Sequence, residues 1–381
     1  MMMDIQDLRL ELNQIDKELS ALFARRMNIS GQVAEYKREH NMPVLDRSRE
    51  REVIARAMEG KPEEVAGYIR LLYNNILDLS RAYQHVKLAP RSELNEVIER
   101  AIRETPANLP ASATVACQGT EGAYSQIACD KLFGNASIMF TNTFEGVFQA
   151  VQSNLCHYGI LPIENNIYGS VNQVYDLMKK YKLYIARSMK LRINHCLVAK
   201  PGIKKEDIRE IYSHEQALGQ CSEYLRNFSG AKTRVWENTA MAAKMVANSE
   251  DNSIAAICSA ESAENYGLRI LDQGIQNNDN NYTRFICISK EMEVYPGANK
   301  ISIMFSVSHK PGSLYSLLSS FAALGLNVTK LESRPIPGRD FEFMFYVDLE
   351  ASITEEEVQS LICQIEAEQP MFVFLGAYTE K

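Results

Sequence analysis

Three cations share one apolar helical seam near the start of the chain. Ile5, Leu8, Leu12, Ile15, Leu19, Leu22, Ile29, Val33 and Tyr36 recur three and four residues apart; Arg26 takes a core position of that repeat, with Arg9 and Lys37 flanking it. A guanidinium in an apolar stripe keeps its charge, so it needs either water or an anion. Three cations along one face suit a small polyanion. For Arg26 by itself, the simpler reading is a polar residue that fixes coiled-coil register.

Four further clusters carry groups that can do chemistry. Gly119-Thr120-Glu121-Gly122-Ala123-Tyr124-Ser125 follows a strand-like run and opens a helix, where free backbone N–H groups can take a carboxylate or phosphate. It matches neither the dinucleotide fingerprint nor the P-loop. Pro162-Ile163-Glu164-Asn165-Asn166-Ile167-Tyr168-Gly169 sets a carboxylate and two amides just past a strand, although an Asn-rich turn can saturate its own backbone. Ser213-His214-Glu215-Gln216 lacks a GxSxG elbow, and adjacent residues rarely build a Ser-His-acid triad, so a hydrolase is rejected. In Asn280-Asn281-Tyr282-Thr283-Arg284-Phe285 a hydroxyl and a guanidinium stand together at a strand entrance, a pairing that can grip an oxyacid.

The elements that must position these groups fall into three segments. About 36 helical residues span about 54 Å, while a compact domain of about 90 residues has a radius of gyration near 12 Å. The first helix therefore cannot bury its seam within its own chain and should pair with a second copy. Asp46 can cap a short helix carrying Arg49 and Glu50, and a third helix from Pro62 places Ser80 and Gln84 one turn apart. The proline-bounded stretch 89–112 reads as a linker with room for one short helix. From Ala113, strand-like runs (Thr114 to Cys117, Tyr158 to Ile163, Ile193 to Ala199, Ser253 to Ile257) alternate with helical ones (Gly122 to Phe133, Phe144 to Ser153, Glu215 to Phe228, Thr239 to Ala247). That order predicts an α/β domain with ligands beyond the carboxyl ends of its strands. The last segment pairs alternating Ile301, Ile303, Phe305 and Val307 with a helix from Leu314, strands Asn327 to Ser333 and Phe341 to Leu349, a helix Thr354 to Ala367 and a strand Met371 to Ala377. This is the βαββαβ, ferredoxin-like order, more often a sensor than a second enzyme.

Composition removes other classes. A formal charge of -7 with no basic segment argues against nucleic acid. Eight scattered cysteines without a CxxC pair read as reduced thiols of a cytoplasmic protein, not as a disulfide framework or metal site. The sequence shows no signal-like start and no run of eighteen apolar residues, so neither secretion nor a membrane is expected. Two other classes stay open at this level, a two-lobed receptor that binds without turnover and an amino-acid-responsive regulator.

Taken together, GTEGAYS, PIENNIYGSV, SHEQALGQC and NNYTRF, in this order and spacing, resemble the motifs of the bifunctional chorismate mutase-prephenate dehydratase family, over nearly the whole chain. The resemblance implies an all-α intertwined chorismate mutase domain (1–88), a linker (89–112), a two-lobed, periplasmic-binding-like prephenate dehydratase domain (113–290) and a ferredoxin-like ACT regulatory domain (299–381). It implies two reactions of phenylalanine biosynthesis, chorismate to prephenate and prephenate to phenylpyruvate, with no cofactor or metal, in a homodimer or higher homo-oligomer. Chorismate would meet Arg9 from the partner subunit, Arg26, Lys37, Asp46, Arg49, Glu50, Ser80 and Gln84, with Lys37 and Gln84 donating to the ether oxygen. Prephenate would meet Thr283 as the donor to the leaving hydroxyl, Glu164 or His214 as the proton source, and Gly122, Ser125, Asn165, Ser213, Gln220 and Arg284 as binding groups. L-Phenylalanine would act as effector at Gly312, Ser313 and Leu314 together with Glu332, Ser333 and Arg334. Asn166 stands where the family has serine, and Ser313 and Tyr315 where smaller or apolar residues are common.

Overall fold

The computed structural model describes residues 4–40, 42–88, 92–336, 338 and 342–381. Asn41, where the apolar pattern of the first helix breaks in the sequence, residues 89–91 of the expected linker and Phe341 of an expected strand lie outside them. By packing, the chain divides into two compact units, Met1–Val97 with Met304–Phe372 and Ile98–Ile303 with Val373–Lys381. Among the described residues no helix is long and apolar enough to cross a membrane.

Three helices open the first unit: α1 (Ile5–Glu39), α2 (Arg47–Met58) and α3 (Glu63–Leu88). Asp4 and Asp46 cap α1 and α2 with their carboxylates, the second accepting from the backbone N–H groups of Ser48 and Arg49 at 3.1 and 3.0 Å. The seam of α1 is largely uncovered in the single chain, with Leu12 58% and Leu22 63% exposed. Helix α4 (Glu93–Glu104) occupies much of the stretch read as a linker, and it buries Ile98 and Ala101.

The second unit is built on two sheets. Strands β1 (Ser112–Gln118), β2 (Asn135–Thr141), β3 (Tyr158–Asn165), β4 (Gly169–Ser170) and β5 (Tyr184–Arg192) alternate with helices α5 (Tyr124–Leu132), α6 (Phe144–Gln152) and α7 (Asn172–Tyr181). The chain then crosses to a second lobe. This comprises β6 (Cys196–Ala199), β7 (Glu210–Ser213), α8 (Glu215–Gln220), α9 (Ser222–Leu225), β8 (Lys232–Val235), α10 (Thr239–Asn248), β9 (Ile254–Cys258), α11 (Ala260–Asn265) and β10 (Arg269–Gln273). It returns to the first lobe as β11 (Tyr282–Ser289). The sheet orders are β2-β1-β3-β11-β5, with β4 beside β3, and β10-β6-β9-β7-β8. Each lobe has its own core, around Val115, Ile160 and Phe285 in the first and Val198, Ile211 and Ile257 in the second. Fully burying such an apolar side chain contributes about 1.5–3 kcal/mol.

The rest of the chain runs β12 (Lys300–Ser306), α12 (Ser313–Ala323), β13 (Asn327–Pro335), β14 (Phe343–Glu350), α13 (Glu356–Glu368) and β15 (Met371–Tyr378), with sheet order β13-β14-β12-β15.

Three local readings change. The run expected to form one helix from Glu215 to Phe228 breaks at Cys221, because Asn277 ties up the backbone there: its N–H donates to the Gln220 carbonyl at 2.7 Å, and its Oδ1 accepts from Glu223 N–H at 3.0 Å. The strand expected from Ile193 starts only at Cys196, since residues 193–195 form the crossover between lobes. The alternation of Ile301, Ile303, Phe305 and Val307 does not mark an exposed face in β12, because all seven of its residues are buried and the strand ends at Ser306.

Candidate active sites

A cavity of about 490 Å³ opens among α1, α2 and α3. Arg26 and Lys37 reach it from α1, Asp46, Arg49 and Glu50 from the start of α2, and Ser80 and Gln84 from α3. Arg26 and Lys37 are 11 positions apart, about three turns, which puts both cations on one face. Arg26 donates to Ser80 Oγ, and Ser80 in turn donates to the Ile76 carbonyl at 2.7 Å. Burial lowers the pKa of Arg26, and it lowers that of Lys37 against the opposing pull of Asp46 and Glu50. Gln84 is buried and, among the described residues, its Oε1 has no hydrogen-bond partner. Arg9 does not reach this cavity: it is exposed on α1, 17 residues and about 26 Å of helix away from Arg26.

Arg81 was missed from sequence. It lies on the cavity wall, paired with both Glu50 and Asp78. Burial alone would lower its pKa, but the two carboxylates outweigh that and hold it above the ordinary value. An i,i+3 Asp-Arg pair on a helix normally marks a solvated face, so its spacing gave no signal.

The second unit has a cavity of about 440 Å³ between its lobes, at the carboxyl ends of β1, β3, β7 and β8. Ser125, Asn165, His214, Gln220 and Thr283 all line it. Asn165 and Thr283 are directly opposite each other on β3 and β11, and Asn165 Nδ2 donates to Thr283 Oγ1 at 3.0 Å. Asn165 Oδ1 accepts from the N–H groups of Ile167 and Tyr168 at 2.9 and 3.0 Å. His214 caps α8, its Nδ1 accepting from Gln216 N–H at 3.3 Å, and burial lowers its pKa.

Four residues assigned to prephenate are not brought to this cavity. Glu164 and Arg284 are also paired across β3 and β11, one position along from Asn165 and Thr283, and successive strand residues point to opposite faces. Arg284 accordingly lies 3.9 Å from Glu164 and 3.7 Å from Glu380 on the far side of the sheet. Ser213 is fully buried and donates to the Ile257 carbonyl at 2.6 Å. Gly122 meets α11, its carbonyl accepting from Ser259 and Ser262 hydroxyls at 3.2 and 2.8 Å. In their place the structure supplies Gln118, His195, Gln216, Glu237 and Asn238. No lysine or arginine is among the described residues that line the cavity.

A third cavity, of about 440 Å³, is lined by residues 307–315, including Gly312, Ser313 and Leu314, with Glu342, Phe343 and Phe345. Gly312 caps α12 at φ 85°, a left-handed backbone that suits glycine. Glu332, Ser333 and Arg334 are on β13, an edge strand, and do not line this cavity. Alternation turns Ser333 to the face opposite Glu332 and Arg334.

Comparison with known proteins matches both units. Residues 115–293 match the family model for prephenate dehydratase and residues 8–85 the model for chorismate mutase type II. The arogenate dehydratase/prephenate dehydratase 2 of Arabidopsis thaliana is 38% identical over 276 residues, covering 69% of this chain and 72% of the relative. The bifunctional chorismate mutase/prephenate dehydratase of Aquifex aeolicus is 30% identical over 380 residues, covering 99% of this chain and 98% of the relative. Among solved structures, the prephenate dehydratase of Arthrobacter aurescens in complex with L-Phe superposes with a TM-score of 0.64 at 27% identity, covering 70% of this chain and 89% of that one. With a mutase-type helical site, a dehydratase-type two-lobed site and a relative aligned from end to end, the chain belongs to the bifunctional chorismate mutase/prephenate dehydratase family.

Proposed function

We propose that the helical cavity converts chorismate to prephenate and that the two-lobed cavity converts prephenate to phenylpyruvate. The observation that carries this reading is the pairing of two cavities with opposite character, one rich in cations and one without lysine or arginine among its described lining residues. The mutase reaction is a rearrangement of a dicarboxylate that needs no covalent help. Holding the reactive conformer and stabilising charge at the breaking ether suffices. Arg26 and Arg49 suit the carboxylates, and Lys37 and Gln84 donate to the ether oxygen. Arg9 is absent from the cavity of its own chain and would serve one only in a homodimer, whose pairing along α1 is supported by the exposed apolar seam of that helix.

Dehydration expels the ring hydroxyl with a proton as carbon dioxide leaves, giving water and an aromatic ring. A carboxylate destined to leave as carbon dioxide gains nothing from a strong ion pair, because that would stabilise the reactant. Neutral donors and the uncapped start of α5 suit it better. Thr283 Oγ1 accepts from Asn165, so its own hydrogen is free to reach the leaving hydroxyl. Threonine is too weak an acid to supply the proton unaided, and with Glu164 on the other face His214 is the relay. The cavity at residues 307–315 takes L-phenylalanine as a feedback effector in a ferredoxin-like ACT domain; the Arthrobacter aurescens dehydratase is described in complex with L-Phe.

The test gives purified protein chorismate and follows its disappearance and the appearance of phenylpyruvate, with and without L-phenylalanine. Wild type should show both, with phenylpyruvate formation suppressed by the amino acid. Thr283→Ala should lower phenylpyruvate formation by at least about a hundredfold, as loss of a transition-state donor does, while chorismate consumption persists. A joint loss of both activities would point to misfolding and remove Thr283 from the reaction.

A further inference from the structure

Two backbone N–H groups fix the direction of a hydrogen-bond chain that runs from Thr283 to a histidine no motif contains. Because Asn165 Oδ1 accepts from Ile167 and Tyr168, which can only donate, its Nδ2 faces Asn281 Oδ1 at 2.8 Å. Asn281 must then present its own Nδ2 to Gln220, whose Oε1 accepts at 2.9 Å. That same Oε1 lies 2.6 Å from His195 Nε2, so Nε2 is the protonated ring nitrogen. Asn281 is fully buried and His195 is 2% exposed, leaving water little access to compete for these bonds. Each orientation follows from the one before it. At one end Thr283 is left with a hydrogen to donate; at the other, both bonds of the Gln220 side chain fall on Oε1, and among the described residues none falls on Nε2.

We propose that His195 is a positioning residue for the dehydration step: its Nε2–H holds the Gln220 carbonyl beneath the cavity, so that the Gln220 amide can only donate to the substrate. Without that donor, Gln220 Oε1 keeps only its bond from Asn281, a single contact about which the side chain can swing, and the amide leaves the place where the substrate's oxygens must bind. The role needs a donor at this place and no change of charge. Burial lowers the pKa of His195, in keeping with a ring that stays neutral while it holds Gln220. Among the described residues His195 Nδ1 has no hydrogen-bond partner, so only one of the two ring nitrogens carries this role.

The proposal rests on prephenate turnover in this cavity, and the test separates the two. In the full-length chain, His195→Phe keeps a ring but no donor, whereas His195→Gln carries an amide that reaches the Nε2 position. His195→Phe should lower kcat for prephenate by about a hundredfold, the size expected for a misaligned donor, and His195→Gln should return it to within about fivefold with an unchanged pH profile. Asn281→Ala should cost no more in the His195→Phe background than alone, because members of one chain fail together. Nitrogen NMR of the histidine rings reads the tautomer without turnover, and a protonated Nδ1 with a bare Nε2 would overturn the assignment whatever the kinetics. So would a His195→Phe enzyme as fast as wild type, a His195→Gln enzyme no better than His195→Phe, or a shifted pH profile in His195→Gln, which would mean that the ring exchanges protons. A wild-type chain inert toward prephenate would instead sink the functional reading and leave the tautomer as a separate result.

Discussion

Lys37 holds a charge where burial strips water from it, and the carboxylates of Asp46 and Glu50 only partly compensate, so its pKa lies below that of an ordinary lysine. The ammonium donates while protonated, so mutase activity should fall as pH rises through that lowered pKa, with a midpoint below about 10.4. Gln84 does not titrate, and the rate should be flat between about pH 6 and 8, a range that among unperturbed side chains holds only histidine. Lys37→Arg should move the alkaline fall upward. A steep loss between about pH 6 and 8 would show that another group governs donation to the ether oxygen. Helical spacing alone sets Arg26 and Lys37 on one side of α1 and Ser80 and Gln84 on one side of α3, and that much was legible in the sequence. Arg81 and His195 stayed hidden: one looked like a surface ion pair, and the other's role depends on partners 25 to 86 residues away.

Strand alternation sorted the dehydratase residues. Thr283 and Arg284 are neighbours in sequence, yet only one can face the cavity, and the paired register of β3 fixes Asn165 with the first and Glu164 with the second. A period of two was available from sequence, but which face met the cavity was not, because both faces of a central strand are covered. Gly122 shows the same limit. Its motif suggested contact with substrate, whereas the structure places it against α11, with φ 83° and an added Cβ only 2.9 Å from the Ser262 Cα. Gly122→Ala should therefore combine left-handed strain with overpacking, each costing about 1–3 kcal/mol. The melting transition of the dehydratase unit and its turnover should drop, while the mutase rate holds. Unchanged melting would mean that the joint between this turn and α11 yields easily.

At the scale of the molecule, β2, β5, β7, β8 and β10 of the middle segment went unread, but the helical period of the first segment and the alternation that opens the last one made their elements legible. The packing of α4 was not, since its proline-flanked, polar sequence resembles a spacer. The largest consequence of that periodicity is the seam of α1. A helix of 35 residues exposes Ile5, Leu12, Ile15, Leu19 and Leu22 in the single chain, although those residues repeat as a buried stripe would. Such a stripe is unfavourable in water, and Arg9 on the same helix is too far from its own cavity to serve it. Pairing of two copies along α1 answers both facts, so mutase activity should depend on assembly while dehydratase activity should not. Leu12 and Ile15 lie outside the cavity lining, and replacing both with aspartate puts charges into the seam without touching the site. The doubly substituted chain should sediment as a monomer and lose at least about tenfold of its mutase rate, the range in which removing one binding guanidinium falls. Arg26→Ala should do the reverse, keeping the assembly while losing the mutase. A monomer with full mutase activity would show that one chain completes the site alone, and Arg9 would then have no part in it.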